Sequence, residues 1–224
     1  MTLTLYTAYL NSAGHRVRIA LALKQIEYDY VSVFQIGKPA YRKINPQGLM
    51  PALKVGDRIV PQATAILEYL EETYPDPPLL PADPVLRAQA RGFAQAITSE
   101  MHAIDVIRIR RFLHNDLQLD QQAIDHWQSH WFTQGFDALE EILRRRDHPW
   151  PYAFGDTPGW ADLHLIPQVH KGIVRFNVDM TPWPLINDIF KRAQDHPAFV
   201  AAMPENQPDW PGEIAEPDVT TPSP

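Results

Sequence analysis

Apolar and polar residues alternate near the start of the chain. In "LTLYTA", Leu3 and Leu5 fall on one side with polar neighbours between them, the period of a strand with one buried face. The period then changes. In "HRVRIALALKQI", Val17, Ala20 and Leu21 recur at helical spacing, with Arg16 and Arg18 near the start. Between the two patterns stands a polar knot, Asn11-Ser12-Ala13-Gly14. "YDYVSVF" reads as a second strand. "NPQGLMPALKVGDRIV" reads as a loop, a strand, a turn at Gly56-Asp57 and another strand. "ATAILEYLEETYP" has Ala65, Ile66, Tyr69 and Leu70 on one helical face and is ended by Pro75. The predicted order is β-α-β-(α)-β-β-α.

The pattern stops in "PDPPLLPADP". Five prolines in ten residues make neither a helix nor a central strand, so this is a linker. Beyond it strand signals nearly vanish, and helices are predicted over 84–113, 120–146, 160–175 and 184–195. The fold class is therefore a small α/β N-terminal domain, residues 1–80, joined by a linker at 81–86 to an all-α domain at 87–208. Prolines recur from Pro204 onward, and the tail at 209–224 is expected to be extended or disordered.

Composition narrows the function. The chain's 224 residues can bury a real core. A net charge of −7 lacks the basic excess expected for broad nucleic-acid binding. No apolar run approaches the roughly 18 residues of a membrane span, and no basic-then-apolar leader opens the chain, so a cytoplasmic protein is expected. There are no cysteines, which removes disulfides, thiolate metal sites and cysteine nucleophiles. Any thiol chemistry needs a thiol from outside.

Three places could carry chemistry. Asn11 and Ser12 stand at a strand-to-helix junction, where free N–H groups attract an anion, although both residue types also cap helices without any chemistry. Gln62 and Ala63 stand before the next helix, where Thr64 is an alternative N-cap with Glu68 as first-turn charge. The Met50-Pro51 step suits a fixed, cis turn, beside which an extended peptide could pair as an added strand. His126 and His130 are spaced i, i+4 but lack a third ligand, and no metal is expected.

Several longer stretches, "HRVRIALALK", "INPQGLMPAL", "AILEYLEETYPDPPLLPADP", "FGDTP-WADLHLIPQV" and "RFNVDMTPWPLI", together resemble the zeta class of the glutathione transferases, which includes maleylacetoacetate and maleylpyruvate isomerases. The resemblance covers about residues 3–210. It implies a thioredoxin-like domain binding glutathione, an all-α domain supplying the second substrate, and a homodimer. Carried onto this chain, it implies that Met50, between Leu49 and cis-Pro51, pairs with the cysteinyl part of glutathione. Gln62, Ala63 and Thr64 lie at the γ-glutamyl carboxylate. His15 and Arg16 match the end of the zeta signature, typically Ser-Ser-Cys before a Trp or His and Arg. Asn11, Ser12 and Ala13 fall on the Ser-Ser-Cys part, so Asn11 and Ser12 are the candidates to face the sulfur.

Position 63 is normally serine and is alanine here. In the helical domain, isomerases often read His-Pro-x-Asn-Asn-x-Arg. This chain keeps His102 and Arg108 but has Ala103, Asp105 and Val106. Arg108 and Arg175 are the expected partners of a dicarboxylic substrate, because arginine binds carboxylates bidentately. Arg110 and Arg111 are expected in solvent, and an Asp105 facing the substrate would repel it. Asp162 is expected to bond the N-cap amide of its helix, with Gly159 unable to return the bond. The activity implied is glutathione-dependent cis–trans isomerisation. The alternatives are conjugation or dehalogenation of another electrophile, or a binding protein without catalysis.

Overall fold

The computed structural model describes residues 2–214 and residue 220. The chain divides into two compact units, one of residues up to Leu79 together with Arg192–Ile214, the other built on Leu80–Lys191.

The first unit begins with β1 (Leu3–Thr7), α1 (Ser12–Leu23) and β2 (Asp29–Ser32), followed by the short helices α2 (Val33–Ile36) and α3 (Lys38–Ile44). Strands β3 (Ala52–Val55) and β4 (Arg58–Pro61) then lead into α4 (Ala63–Thr73). The sheet order is β2-β1-β3-β4. β1 pairs parallel with β2, Leu5 opposite Tyr30, and antiparallel with β3, Leu5 opposite Leu53. β3 and β4 form an antiparallel hairpin in which Gly56, at φ +57°, supplies the left-handed turn residue. Alternation along β1 turns Leu3 and Leu5 to one face, fully buried, and Tyr6 to the other, where it packs on a core of Val33, Tyr41 and Ala52. Helix α1 packs against α4. It is buried almost all round, including Arg16 and Arg18, which its apolar periodicity alone does not foretell. Arg18 has its guanidinium donating to the carbonyls of Ala8 at 3.1 Å, Tyr9 at 3.4 Å and Ala202 at 3.1 Å. Burial pulls its pKa down to about 10, so it stays charged at neutral pH.

The second unit is helical. α5 (Pro84–Gln95) is capped by Asp83, whose carboxylate accepts from the Leu86 amide at 2.8 Å. It runs into a π-helical stretch, Ala96–His102, and a single turn, α6 (Ala103–Asp105). Val106 is extended (φ −69°, ψ 154°), and α7 (Ile107–Asn115) starts afresh. The continuous helix expected over 84–113 is thus broken: the π-helical stretch and the extended residue reset the helical phase. α8 (Gln121–Arg144) is capped by Asp120, and α9 (Trp160–Phe176) packs against α5 and α8. The buried Asp162 accepts from the amides of Gly159 and Ala153, both at 2.9 Å. Gly159 has no side chain to return the bond. α10 (Pro184–Gln194) has its first amides bound by Glu140, which accepts from Leu185 and Ile186 at 3.0 Å.

α11 (Pro197–Ala202) returns to the first unit and packs on α1. The tail expected from residue 209 is, as far as Ile214, part of that unit: the Asp209 carboxylate and the Trp210 ring both have partners there. The rest of the expected tail, apart from Thr220, lies outside the described residues.

Candidate functional site

In the first unit, the junction between β1 and α1 is built around Asn11. Its backbone is extended (φ −132°), it is the N-cap of α1, and its side-chain oxygen accepts from the Gly14 amide at 2.7 Å. Thr7, at the end of β1, also donates its hydroxyl to that oxygen at 3.4 Å. Gly14 is required here, because a Cβ would collide with the side chains of Thr7 and Asn11. The cap therefore uses only one end of the amide. The oxygen closes the cap, and the NH2 end is the donor that remains for a ligand. The Ser12 and Ala13 amides, in the first turn, have no intrahelical acceptor and add partial positive charge. Ser12 is half-buried at the first helical position. His15 is buried, at 2% exposed.

The Met50–Pro51 peptide bond is cis, as is Asp76–Pro77. The Leu49 carbonyl accepts from the Tyr41 hydroxyl and the Asn45 amide, both at 2.8 Å, which fixes the loop just before Met50. At the start of α4 the cap is Gln62, not Thr64, which lies one residue inside the helix. Gln62 is a non-glycine residue held at φ +71°, ψ 124°, a sparsely populated conformation that costs on the order of 1–3 kcal/mol and clusters at ligand sites. Its exposed side chain donates to the Gln47 oxygen at 2.6 Å, so two carboxamides lie at one helix N-terminus. Ala63 offers only its backbone.

In the second unit the break at Val106 decides which arginine turns inward. Arg110, expected in solvent, is 4% exposed, on the same face as the buried Leu113. Its guanidinium lies 5.4 Å from the centre of the Phe176 ring. Arg108, the expected carboxylate partner, is exposed. Arg175 does join the cluster, also 5.4 Å from that centre, and Lys171 lies at 5.8 Å. The structure thus gathers Arg110, Lys171 and Arg175 about one aromatic ring. His102 closes the π-helical stretch and is half-buried.

Asp105, 1% exposed, is paired with the Lys171 ammonium and accepts from Gln168 Nε2 at 3.1 Å. It is a counterion inside the cluster rather than a repulsive charge facing a substrate. Burial pushes the Lys171 pKa down to about 8, Arg175 and Arg110 act in the same direction, and Asp105 opposes them. Asp105 is thus the carboxylate paired with Lys171 beside the two guanidinium groups. Two of these residues escape sequence reasoning. For Lys171 a signal existed, since it stands i, i+4 from Arg175 on one face of α9. For Arg110 none did, because its direction depends on a break that periodicity does not announce. No cluster of acidic or histidine side chains suited to a metal occurs among the described residues.

The chain is similar to known proteins along most of its length. Residues 5–78 match the family model "Glutathione S-transferase, N-terminal domain". A maleylpyruvate isomerase from Ralstonia sp. is 41% identical over 210 residues, covering 92% of this chain and 98% of the relative. The holo structure of a maleyl pyruvate isomerase, described as a bacterial glutathione S-transferase of the zeta class, superposes with a TM-score of 0.88 at 40% identity, over 92% of this chain and 99% of that one. A maleylacetoacetate isomerase from Methylobacterium extorquens AM1, with bound malonate and glutathione, gives 0.87 at 36% identity, over 93% and 100% of the two chains.

Proposed function

The chain belongs to the glutathione S-transferase family, in its zeta class, and on that premise we propose that it is a glutathione-dependent cis–trans isomerase of a maleyl-type dicarboxylic keto acid, maleylpyruvate or maleylacetoacetate. The observation that carries the reading is the cluster of Arg110, Lys171 and Arg175 about Phe176 with Asp105 as counterion. Two guanidinium groups and an ammonium gathered at one ring suit a substrate with two acid groups, and the arginines supply planar, bidentate donors. Malonate, a small dicarboxylate, is bound in one of the similar structures.

The donor set of the first unit fits glutathione. The strained Gln62, with Gln47 and the N-terminus of α4, makes an anion cradle for the γ-glutamyl carboxylate. Asn11 directs an N–H donor, and α1 its N-terminus, toward the sulfur. Bound glutathione would supply a thiolate for reversible addition to the cis double bond, the electron pair passing onto the conjugated keto oxygen and returning to expel the thiolate once the resulting single bond has turned. The chain's own residues lower the barrier in two ways. Asn11, helped by the first-turn amides of α1, stabilises the sulfur as an anion. Arg110 and Arg175 hold the acid groups, so that the central bond turns while the ends stay fixed. Lys171, held by Asp105, keeps the cluster positive at neutral pH.

The reading extends to a homodimer in the cytoplasm with no nucleic-acid partner, in keeping with a net charge of −7. Among the described residues no helix is long and apolar enough to cross a membrane. Calorimetric titration with glutathione, alongside an S-alkyl glutathione, tests the thiol site. Binding in the micromolar to low-millimolar range is expected, and the absence of heat at 10 mM glutathione would overturn the reading.

A further inference from the structure

The thiol-facing residue Asn11 sits at the end of a short link, Ala8–Leu10, that the sheet itself does not hold. The ladder between β1 and β2 ends at Thr7 opposite Ser32. Beyond it the Tyr9 amide has no strand partner. Its acceptor comes from 200 residues later: the Asp209 carboxylate, at 3.1 and 3.3 Å from its two oxygens. The same carboxylate accepts from the Ser32 hydroxyl at 2.6 Å and the Tyr30 hydroxyl at 2.7 Å, both on β2. Burial, and then that hydrogen bond, push the Tyr30 phenol well above its ordinary range, so it remains a donor.

The other sides of the link are held as well. Arg18 of α1 donates to the Ala8 and Tyr9 carbonyls and to the Ala202 carbonyl at the end of α11. The Tyr9 ring makes edge contacts with Trp210 at 5.3 Å and Phe34 at 5.8 Å between centroids. A carboxylate and an aromatic ring from the chain's far end therefore close the gap that β2 leaves.

We propose that Asp209 is a positioning residue for the thiol site: by replacing the missing strand partner of Tyr9 it fixes the Ala8–Leu10 link, and through it the Asn11 cap and the orientation of the Asn11 amide. It acts through backbone geometry rather than through its charge, since a negative charge on its own would disfavour a thiolate nearby. An asparagine, which keeps one acceptor oxygen and can exchange donor and acceptor roles with the two hydroxyls, therefore preserves the arrangement. An alanine does not.

The test has two arms. The first is hydrogen exchange in the protein without ligand, which does not depend on the glutathione reading. In Asp209→Ala the Gly14 amide, whose acceptor is the Asn11 side chain, is expected to exchange at least about tenfold faster. Amides of Ala52–Val55 and of α9 are expected to keep their rates, and Asp209→Asn to resemble the native protein. Unchanged Gly14 exchange in Asp209→Ala, or a uniform rise across the unit, overturns the proposal. Should Asp209→Ala fail to fold, the pair Tyr30→Phe and Ser32→Ala, which deletes the hydroxyl donors, is measured instead and carries the same expectation with a smaller change.

The second arm rests on the assignment of Asn11 to the thiol. The apparent pKa of bound glutathione's thiol, followed by thiolate absorbance, is expected to rise in Asp209→Ala and to be restored in Asp209→Asn. kcat is expected to fall about tenfold with KM for the diacid nearly constant. Faster Gly14 exchange without any change in thiol pKa or kcat separates the two ideas: it upholds Asp209 as the fixer of the cap and overturns Asn11 as the thiol contact.

Discussion

Replacing Asp105 by asparagine exposes the electrostatics of the cationic cluster. The native carboxylate accepts on one oxygen from Lys171 and on the other from Gln168. Asparagine turns one of those acceptors into a donor facing a donor, and it removes the carboxylate that opposes burial and the two arginines in lowering the Lys171 pKa. Breaking a buried ion pair from one side costs about 3–5 kcal/mol. The pH dependence has a definite sign. The lysine titrates near 10.5 when unfolded and near 8 in the fold, so both states hold the proton below about pH 8 and the burial penalty is present in full. That penalty is about 3 kcal/mol at 1.36 kcal/mol per pH unit. Between pH 8 and 10.5 the unfolded chain binds more protons, and stability from this group rises with pH. Without Asp105 the folded lysine titrates lower still, so its recovery starts below pH 8. Urea unfolding, followed by tryptophan fluorescence at pH 6, 7, 8 and 9, measures the difference between the two proteins, in which all other titrations cancel. The deficit of Asp105→Asn is expected at about 3–5 kcal/mol at pH 6 and to shrink toward pH 9. The double variant Asp105→Leu with Lys171→Met should regain most of it. A deficit under about 1 kcal/mol at pH 6, or one that does not vary with pH, would refute the reasoning.

Removing Arg110 or Arg175 as alanine should lower kcat/KM for a dicarboxylic substrate about 10- to 100-fold, the range of a lost charge-assisted hydrogen bond. The exposed Arg108 should change it less than about threefold, and equal losses at all three positions would contradict the cluster assignment. Ala63→Ser restores a hydroxyl at the N-terminus of α4 and should tighten glutathione binding by about tenfold or more in a calorimetric titration. An unchanged Kd would show that the hydroxyl faces elsewhere. Asp162→Ala leaves the Ala153 and Gly159 amides without their acceptor and should destabilise the protein by about 2–5 kcal/mol in urea unfolding. Burial raises the Asp162 pKa from 3.8 to about 6. The native protein therefore loses stability from this group as pH rises through that window, and the deficit of the variant narrows from about pH 4 to pH 6.

The α/β order, the proline linker and the helical remainder were legible because each rests on local chemistry: period two, period near four, and proline's missing donor. The same locality explains the reading of Asn11 as a cap and of Met50–Pro51 as a cis turn. What was hidden depends on partners far along the chain or on helical phase. Asp105 meets Gln168 and Lys171 more than sixty residues later, so a carboxylate that looks repulsive in sequence is neutralised in the fold. Arg110 turns inward only because a π-helical stretch and the extended Val106 reset the register, which carries Arg108 outward. Gln62 displaces Thr64 as the cap of α4 by adopting a positive φ that only tertiary structure sustains. Asp209 lies in a proline-rich tail whose composition suggests disorder, and nothing near it in sequence reveals the Tyr9 amide that it binds.

In the proposed activity the chain isomerises a cis diacid with glutathione as a recycled cofactor. The most direct measurement follows maleylpyruvate by ultraviolet absorbance with and without glutathione, while free thiol is counted at the end. Conversion to the trans isomer is expected to require glutathione and to leave its thiol undiminished after many turnovers. Conversion that consumes one thiol per substrate, conversion without glutathione, or no conversion at all would contradict it.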